Sequence, residues 1–133
     1  HERGGGGLFS TVNDYQLFSK FLLDAKDKED SPLISPMMHK FVLKNRIPEK
    51  LLPLKLGPRL LDGYGWNLVG RIMIDDSKAM SLTNNREFGW AGAASTFFWI
   101  DIEKQLSGVF MTQFTGRDLN LANEFRAASY SAI

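Results

Sequence analysis

The chain contains no cysteine, and it has only two histidines among its 133 residues. Without cysteine there can be no disulfide, no thiolate zinc site and no cysteine nucleophile, and the chain fits either the cytoplasm or the periplasm. The sequence also lacks an apolar run long enough to cross a bilayer and a long basic run that could bind nucleic acid. We therefore expect neither a membrane span nor a nucleic-acid partner.

Signals for a metal or cofactor site are also missing. His1 and His39 lack the spacing of a ligand pair, and His39, beside two methionines on a short predicted helix, is typical of a partly exposed helix residue. Residues 63–66, Gly-Tyr-Gly-Trp, lack the third glycine of a dinucleotide fingerprint and begin a strand. The adjacent carboxylates Asp75 and Asp76 are predicted to lie in a solvated turn, since neighbouring side chains on a strand end point to opposite sides. We expect no metal ion and no cofactor.

The chain does contain enough apolar material for a core. Hydrophobic residues make up 44% and charged residues 23%, with 16 basic against 15 acidic side chains and a net charge of +1. This balance is typical of a folded domain and not of a disordered chain. A length of 133 residues corresponds to one domain or to a piece of one.

Two helices are predicted in the first half of the chain. Thr11 or the serine before it can cap the first, because Asp14 follows Thr11 at capping-box spacing and an apolar stripe then runs to about Ala25. The stripe consists of Tyr15, Phe18 and Leu22. A serine and a proline at positions 35 and 36 start a short second helix, whose predicted apolar face consists of Met37, Met38, Phe41 and Val42. Residues 47–61 contain three prolines and a glycine and are predicted to form a loop.

The second half is predicted to be mainly β-structure. Residues 63–75 alternate as one strand, and strands over 95–101 and 107–114 have the spacing of an antiparallel hairpin. Asp118 then caps a last helix that ends near Ser131, with an inner side made of Leu119, Ala122, Phe125 and Arg126. The fold class is therefore α+β, with a helical and loop part over 8–61 and a part with antiparallel strands and the C-terminal helix over 62–133.

A corner of small residues leads into the strand over 95–101. Residues 88–101 read Phe-Gly-Trp-Ala-Gly-Ala-Ala-Ser-Thr-Phe-Phe-Trp-Ile-Asp, and the glycines and alanines let backbone N–H groups face a ligand unobstructed. This stretch resembles the third active-site motif of serine hydrolases related to class C β-lactamases, penicillin-binding proteins and family VIII esterases. The four glycines at 4–7, followed by Leu-Phe-Ser-Thr, and Gly-Val-Phe-Met-Thr-Gln at 108–113 are similar to segments of the same group in the same order.

The resemblance covers residues 4–133 and implies the C-terminal portion of a larger β-lactamase-like domain, completed by an N-terminal remainder of the same protein. In this group the nucleophilic serine is followed three positions later by lysine. None of the ten serines in the chain has a lysine at that position. The chain alone is therefore expected to be inactive. Tyr15, Tyr64 and Tyr130 lie outside any motif of this group and are interpreted as core or surface aromatics.

Four residues form the site that the resemblance implies. Trp90, Ala91 and Gly92 stand where β-lactamases of this group have Lys-Thr-Gly and related esterases often have Trp-Gly-Gly. The backbone N–H of Ala93 is implied to be an oxyanion donor, and Ser95 occupies a position where the group usually has glycine. An indole at position 90 offers an apolar wall in place of a cation for a substrate carboxylate, which favours an uncharged ester or amide substrate.

The resulting interpretation is acyl-enzyme hydrolysis of a small-molecule ester or amide by the whole protein. Two alternatives stay open at this point. One is a non-catalytic homologue or ligand-binding module that has kept the scaffold and lost the chemistry. The other is a penicillin-binding D-Ala-D-Ala peptidase, against which the missing cation at position 90 counts.

Overall fold

The computed structural model describes residues 6–25, 33–116 and 120–133. In these ranges, helices α1 (Val12–Asp24) and α2 (Pro36–Leu43) precede the strands, and helix α3 (Asn120–Ser131) follows them. The strands are β1 (Leu54–Leu56), β2 (Arg59–Leu61), β3 (Tyr64–Trp66), β4 (Arg71–Met73), β5 (Phe88–Ala91), β6 (Phe97–Asp101) and β7 (Leu106–Phe110). The α+β class is confirmed. The predicted cap Asp118 and the predicted helix residue Leu119 lie outside the described residues, as do His1, Gly4 and Gly5.

A five-stranded antiparallel sheet in the order β3-β4-β5-β6-β7 forms the centre of the fold. The prediction of a single strand over 63–75 is wrong, because β3 and β4 form a hairpin. The Asn67 side chain closes its turn, since Asn67 Oδ1 accepts hydrogen bonds from the N–H groups of Val69 and Gly70, both at 2.8 Å. A side chain that bonds the backbone in this way folds the chain back within an otherwise strand-like pattern.

The prediction of a loop over 47–61 is also wrong in part, because β1 and β2 pair into a separate two-stranded hairpin. Gly57 in its turn has φ +60°, a left-handed conformation that glycine adopts without a side-chain clash. Pro53 directly precedes β1, and Pro58 follows the glycine in the turn. The residues that predicted a loop thus mark the ends of two short strands.

Helix α1 covers one face of the sheet and begins as predicted. Thr11 is its N-cap, and the Thr11 hydroxyl oxygen accepts a hydrogen bond from the N–H of Asp14 at 3.2 Å. Tyr15 and Phe18 pack against Phe98, with ring centroids 5.0 Å and 6.3 Å away. The buried core on this face consists of Leu22, Leu23, Leu43, Ile72, Phe88, Phe98, Ile100 and Ile102.

Helix α2 starts at the predicted serine and proline but buries a different face. Three residues of the predicted apolar face are exposed, namely Met37, Met38 and Phe41. His39 and Leu43 are buried instead, and His39 Nε2 lies 2.7 Å from the carbonyl oxygen of Leu22. The expectation of a partly exposed His39 is therefore wrong. Its hydrogen bond to α1 satisfies one ring nitrogen, which lowers the cost of burying the imidazole.

Helix α3 covers the opposite face of the sheet. Ala122 is buried against Phe97 and Trp99, which alternate along β6 with the residues that face α1. Arg126 is buried as predicted, whereas Phe125 is half exposed and places its ring edge-to-face on Trp99 at 5.5 Å. In the part of the chain that the structure describes, no helix combines the length and the apolar character needed to cross a membrane.

A buried charge network joins α3 to the sheet. Arg126 Nη1 lies 2.8 Å from Glu87 Oε1 and 3.1 Å from the hydroxyl oxygen of Tyr64. The Tyr130 hydroxyl lies 3.2 Å from Glu87 and 2.9 Å from Asp101. Burial by itself lowers the pKa of Arg126, but the charge of Glu87 and the contact with Tyr64 outweigh it, and the net pKa is raised. The guanidinium therefore stays charged inside the protein.

A second arginine, Arg71, lies beside the same carboxylate. Arg71 Nη2 is 3.9 Å from Glu87 Oε1, and the guanidinium carbon lies 4.6 Å and 4.9 Å from the ring centroids of Tyr64 and Phe97. Among the described residues, the Nε and Nη2 atoms of Arg71 have no hydrogen-bond partner, and burial lowers the pKa of this side chain. The cation is stabilised by the two rings and by Glu87, which is the shared counter-ion of both arginines.

Candidate active site

The four predicted site residues form the end of β5 and the turn that follows it. Trp90 and Ala91 are the last residues of β5 and pair with β6. Gly92 extends the pairing, because its N–H donates to the carbonyl oxygen of Thr96 at 2.8 Å. Ala93 begins the turn itself. The structure thus places all four residues together at the end of two paired strands.

Side chains hold this turn against the segment that follows β7. Ser95 has φ +57°, in the left-handed region that favours glycine, and its hydroxyl donates to the carbonyl oxygen of Phe114 at 2.8 Å. The Thr112 hydroxyl donates to the carbonyl oxygen of Ala94. Since Thr112 belongs to the 108–113 segment, two of the stretches that resemble the hydrolase group are in direct contact. The positive φ also explains why glycine suits position 95.

The turn carries one candidate backbone donor, the N–H of Ala93. Ala93 is exposed, and the described residues provide no hydrogen-bond acceptor for its N–H. Its neighbours Gly92 and Ala94 are small, so neither adds a bulky side chain beside this N–H. A free N–H in a turn held by hydrogen bonds is the kind of donor that can stabilise a developing oxyanion.

Trp90 borders an apolar groove of about 420 Å³. The groove lies between α1, the β3–β4 turn and the sheet, and its lining includes Tyr15, Phe18, Leu68, Val69, Phe98 and Val109. No charged side chain of the described ranges lines it. Burial raises the pKa of Tyr15, so its phenol stays neutral. A groove of this composition suits an uncharged, largely apolar group.

A second indole, which the motif analysis did not single out, supports Trp90. The ring centroids of Trp66 and Trp90 lie 4.6 Å apart at an interplanar angle of 69°, an edge-to-face contact. Gly70 allows the strands to approach here, because a Cβ at that position would lie 2.5 Å from the carbonyl oxygen of Gly89 and 3.2 Å from the Trp90 Cβ. Trp66 belongs to the 63–66 segment, which the sequence excludes as a nucleotide site. Nothing in that segment predicts a contact with Trp90.

The other sequence candidates lie away from the groove. Tyr64 and Tyr130 belong to the buried network under α3, and the pKa of Tyr130 is raised by burial and by the two carboxylates beside it. Asp75 and Asp76 lie at a short surface turn, where Asp75 pairs with Lys78 at 3.0 Å. Within the described ranges, no three His, Cys, Asp or Glu side chains are grouped as metal ligands.

Comparison with known protein families identifies the family of the chain. A family model described as Beta-lactamase matches residues 1–131 of the chain. No curated protein sequence matches it. The family match covers nearly the whole chain and includes both segments that meet at the β5–β6 turn. The chain therefore belongs to the beta-lactamase family.

Proposed function

We propose that the chain is the C-terminal segment of a serine hydrolase that cleaves esters or amides through an acyl-enzyme, with uncharged esters as the favoured substrates. The observation that carries the proposal is one turn with two features: the N–H of Ala93 has no acceptor among the described residues, and Trp90, Ala91 and Gly92 just before it line a groove without charged side chains from those residues. Membership of the family supports a hydrolase scaffold. We assign the nucleophilic serine and its lysine to an N-terminal remainder, because the chain has no Ser-x-x-Lys.

In this mechanism the serine oxygen attacks the substrate carbonyl carbon while the lysine accepts the serine proton. The carbonyl oxygen becomes negatively charged and accepts hydrogen bonds from the N–H of Ala93 and from the N–H of the nucleophile. The tetrahedral intermediate then expels the alcohol or amine, which takes up the proton. Water hydrolyses the acyl-enzyme in the same site and releases the acid.

Trp90 determines the charge preference of the site. A lysine at this position would attract a substrate carboxylate, whereas the indole carries no charge and a single N–H donor. A free carboxylate in the groove would lose its hydration without gaining a cationic partner, which costs binding free energy. These features favour uncharged esters over β-lactams and over peptides that end in a carboxylate. They count against the penicillin-binding peptidase.

Trp90→Lys in the full-length protein is expected to raise kcat/KM for carboxylate-bearing β-lactams and to lower it for apolar esters. The substitution replaces an apolar wall with a solvated cation, and each effect should be about tenfold, or ~1.4 kcal/mol in transition-state binding. Trp90→Phe is the matched control because it keeps an uncharged aromatic wall. If a folded Trp90→Lys protein kept the wild-type selectivity between β-lactams and apolar esters, residue 90 would not contact the substrate.

The isolated chain is expected to hydrolyse neither p-nitrophenyl acetate nor nitrocefin above the uncatalysed rate. The physical reason is that none of its serines has the lysine that would accept the serine proton. Spectrophotometric assays of the purified chain measure both rates. A saturable rate that disappears when one serine of this chain is changed to alanine would refute the assignment of the nucleophile to another segment.

A non-catalytic, ligand-binding relative is the second candidate, and the lack of Ser-x-x-Lys in the chain is the observation that favours it. The groove suits an uncharged ligand in either case. The two candidates differ in the N-terminal remainder, which contains Ser-x-x-Lys in the hydrolase and lacks it in the binding protein. Sequencing the gene upstream of the codon for His1 separates them.

A further inference from the structure

Trp90 contacts a second indole, that of Trp66, and also lines the groove. Trp90 lines the groove, whereas Trp66 is not among the groove-lining residues that the structure describes. Trp66 instead packs edge-to-face against Trp90, and Trp90 remains 39% exposed. The Trp90 indole is therefore packed against Trp66 and also lines the groove, and the part of it that stays exposed is accessible to a ligand.

The backbone of Trp66 is bound by the residues that follow α2. The N–H of Trp66 donates to Asn45 Oδ1 at 3.0 Å, and the Trp66 carbonyl oxygen accepts from the N–H of Arg46 at 2.7 Å. Gly65 allows this close approach, because a Cβ there would collide with the Asn45 side chain. Both backbone groups of Trp66 are thus hydrogen-bonded, which fixes the point on β3 from which its ring packs against the Trp90 indole.

We propose that the exposed face of Trp90 binds a flat, uncharged aromatic ring of the substrate, and that Trp66 is the positioning residue that sets the plane of the Trp90 indole. The proposal rests on the function proposed above and narrows the substrate class to esters with an aromatic group. Aromatic rings stack in offset geometry on an indole face. An indole that is already held in one orientation loses less conformational freedom when the ring binds.

The composition of the groove also requires that the bound ring carry no charge. No charged side chain of the described residues lines it, so an aromatic carboxylate such as benzoate would enter without a counter-ion and at a desolvation cost. A saturated ring of similar size can fill the same space but has no π face for stacking. The site should therefore distinguish neutral aromatic rings both from charged rings and from neutral saturated rings.

The test compares two neutral ketones of similar size, acetophenone and cyclohexyl methyl ketone, in NMR titrations of the full-length protein. The indole N–H signals are followed, and acetophenone is expected to shift the Trp90 signal and to bind about three- to tenfold more tightly than the saturated ketone. Benzoate is expected to bind more weakly than acetophenone. Trp66→Leu should reduce the ketone preference to less than about twofold.

Two further variants complete the design. Trp66→Phe keeps a smaller aromatic ring against Trp90 and should show an intermediate preference for acetophenone. This variant provides the test if Trp66→Leu does not fold. Leu121→Ala, an exposed apolar residue on α3, is the control that should leave the preference unchanged. Equal affinity of the two ketones for the wild type, or an unchanged preference in the folded Trp66 variants, would overturn the proposal.

The ketones contain no ester bond, so binding is measured separately from hydrolysis. A protein that prefers acetophenone but hydrolyses no ester would argue against the proposed function alone. An active esterase that binds both ketones equally would argue against the aromatic-binding site alone.

Discussion

Ala93→Pro in the full-length protein is expected to lower kcat for ester hydrolysis by about two orders of magnitude while KM changes much less. Proline has no N–H, and the loss of one oxyanion donor removes about 3 kcal/mol of transition-state stabilisation. The neutral carbonyl oxygen of the bound substrate gains less from this donor than the oxyanion does, so substrate binding should be largely retained. Initial-rate kinetics with a p-nitrophenyl ester separate the two constants.

Ala93→Ser is the matched control, because serine keeps the backbone N–H and adds one hydroxyl group at an exposed position. Circular dichroism must show that the proline variant is folded, since proline also restricts the backbone of the turn. If kcat of a folded Ala93→Pro protein stayed within about twofold of the wild type, Ala93 would not be an oxyanion donor.

Glu87→Gln is expected to lower the free energy of unfolding by about 3–5 kcal/mol, because it leaves two buried arginines without their shared counter-ion. The side chains of Glu87 and Arg126 are 1% and 4% exposed, so water cannot replace the lost charge. Arg126→Met should cost less, since Glu87 then keeps Arg71 at 3.9 Å. Urea denaturation of the full-length variants, followed by tryptophan fluorescence, measures both changes.

Lys78→Met provides the control for these two variants. It removes the Asp75–Lys78 ion pair, which has a comparable N–O distance of 3.0 Å but lies at the surface, where water and salt screen it. Its effect on unfolding should be close to zero. A Glu87→Gln effect no larger than that of Lys78→Met would rule out Glu87 as the counter-ion that holds α3 on the sheet.

Helix starts were predictable because they depend on neighbouring residues. The hydroxyl oxygens of Thr11 and Ser35 each accept a hydrogen bond from the N–H three positions later, as their spacing predicts. The β6–β7 hairpin likewise overlaps the two strands predicted over 95–101 and 107–114, although β7 begins one residue earlier and ends at Phe110. In each case the stabilising groups are close in sequence, so a local pattern contains the information.

Features that depend on tertiary contacts were not predictable in this way. The apolar alternation over 63–75 fits one long strand, but the Asn67 side chain turns the chain back on itself. The periodicity of α2 favours an apolar inner face, yet His39 is buried through its bond to the Leu22 carbonyl oxygen while Met37 is 81% exposed. A partner on another element decides which side of α2 is buried.

The candidate site was predictable as a stretch of sequence but not as a geometry. Trp90 and Ala93 belong to one contiguous motif, so a single resemblance identifies both. The residues that orient this motif are distant in the chain. Trp66 ends β3, two strands before Trp90 on β5, and Thr112 follows Ala94 by 18 residues. No local pattern links these positions, and only the folded sheet brings them together.

Covalent labelling of the full-length protein with a serine-directed fluorophosphonate, followed by peptide mass spectrometry, tests the central assignment most directly. We predict one modified serine that lies outside residues 1–133 and is followed three positions later by lysine. A label on any of the ten serines of this chain, or no labelling of the folded protein, would contradict the assignment of this segment to a serine hydrolase whose nucleophile lies elsewhere in the protein.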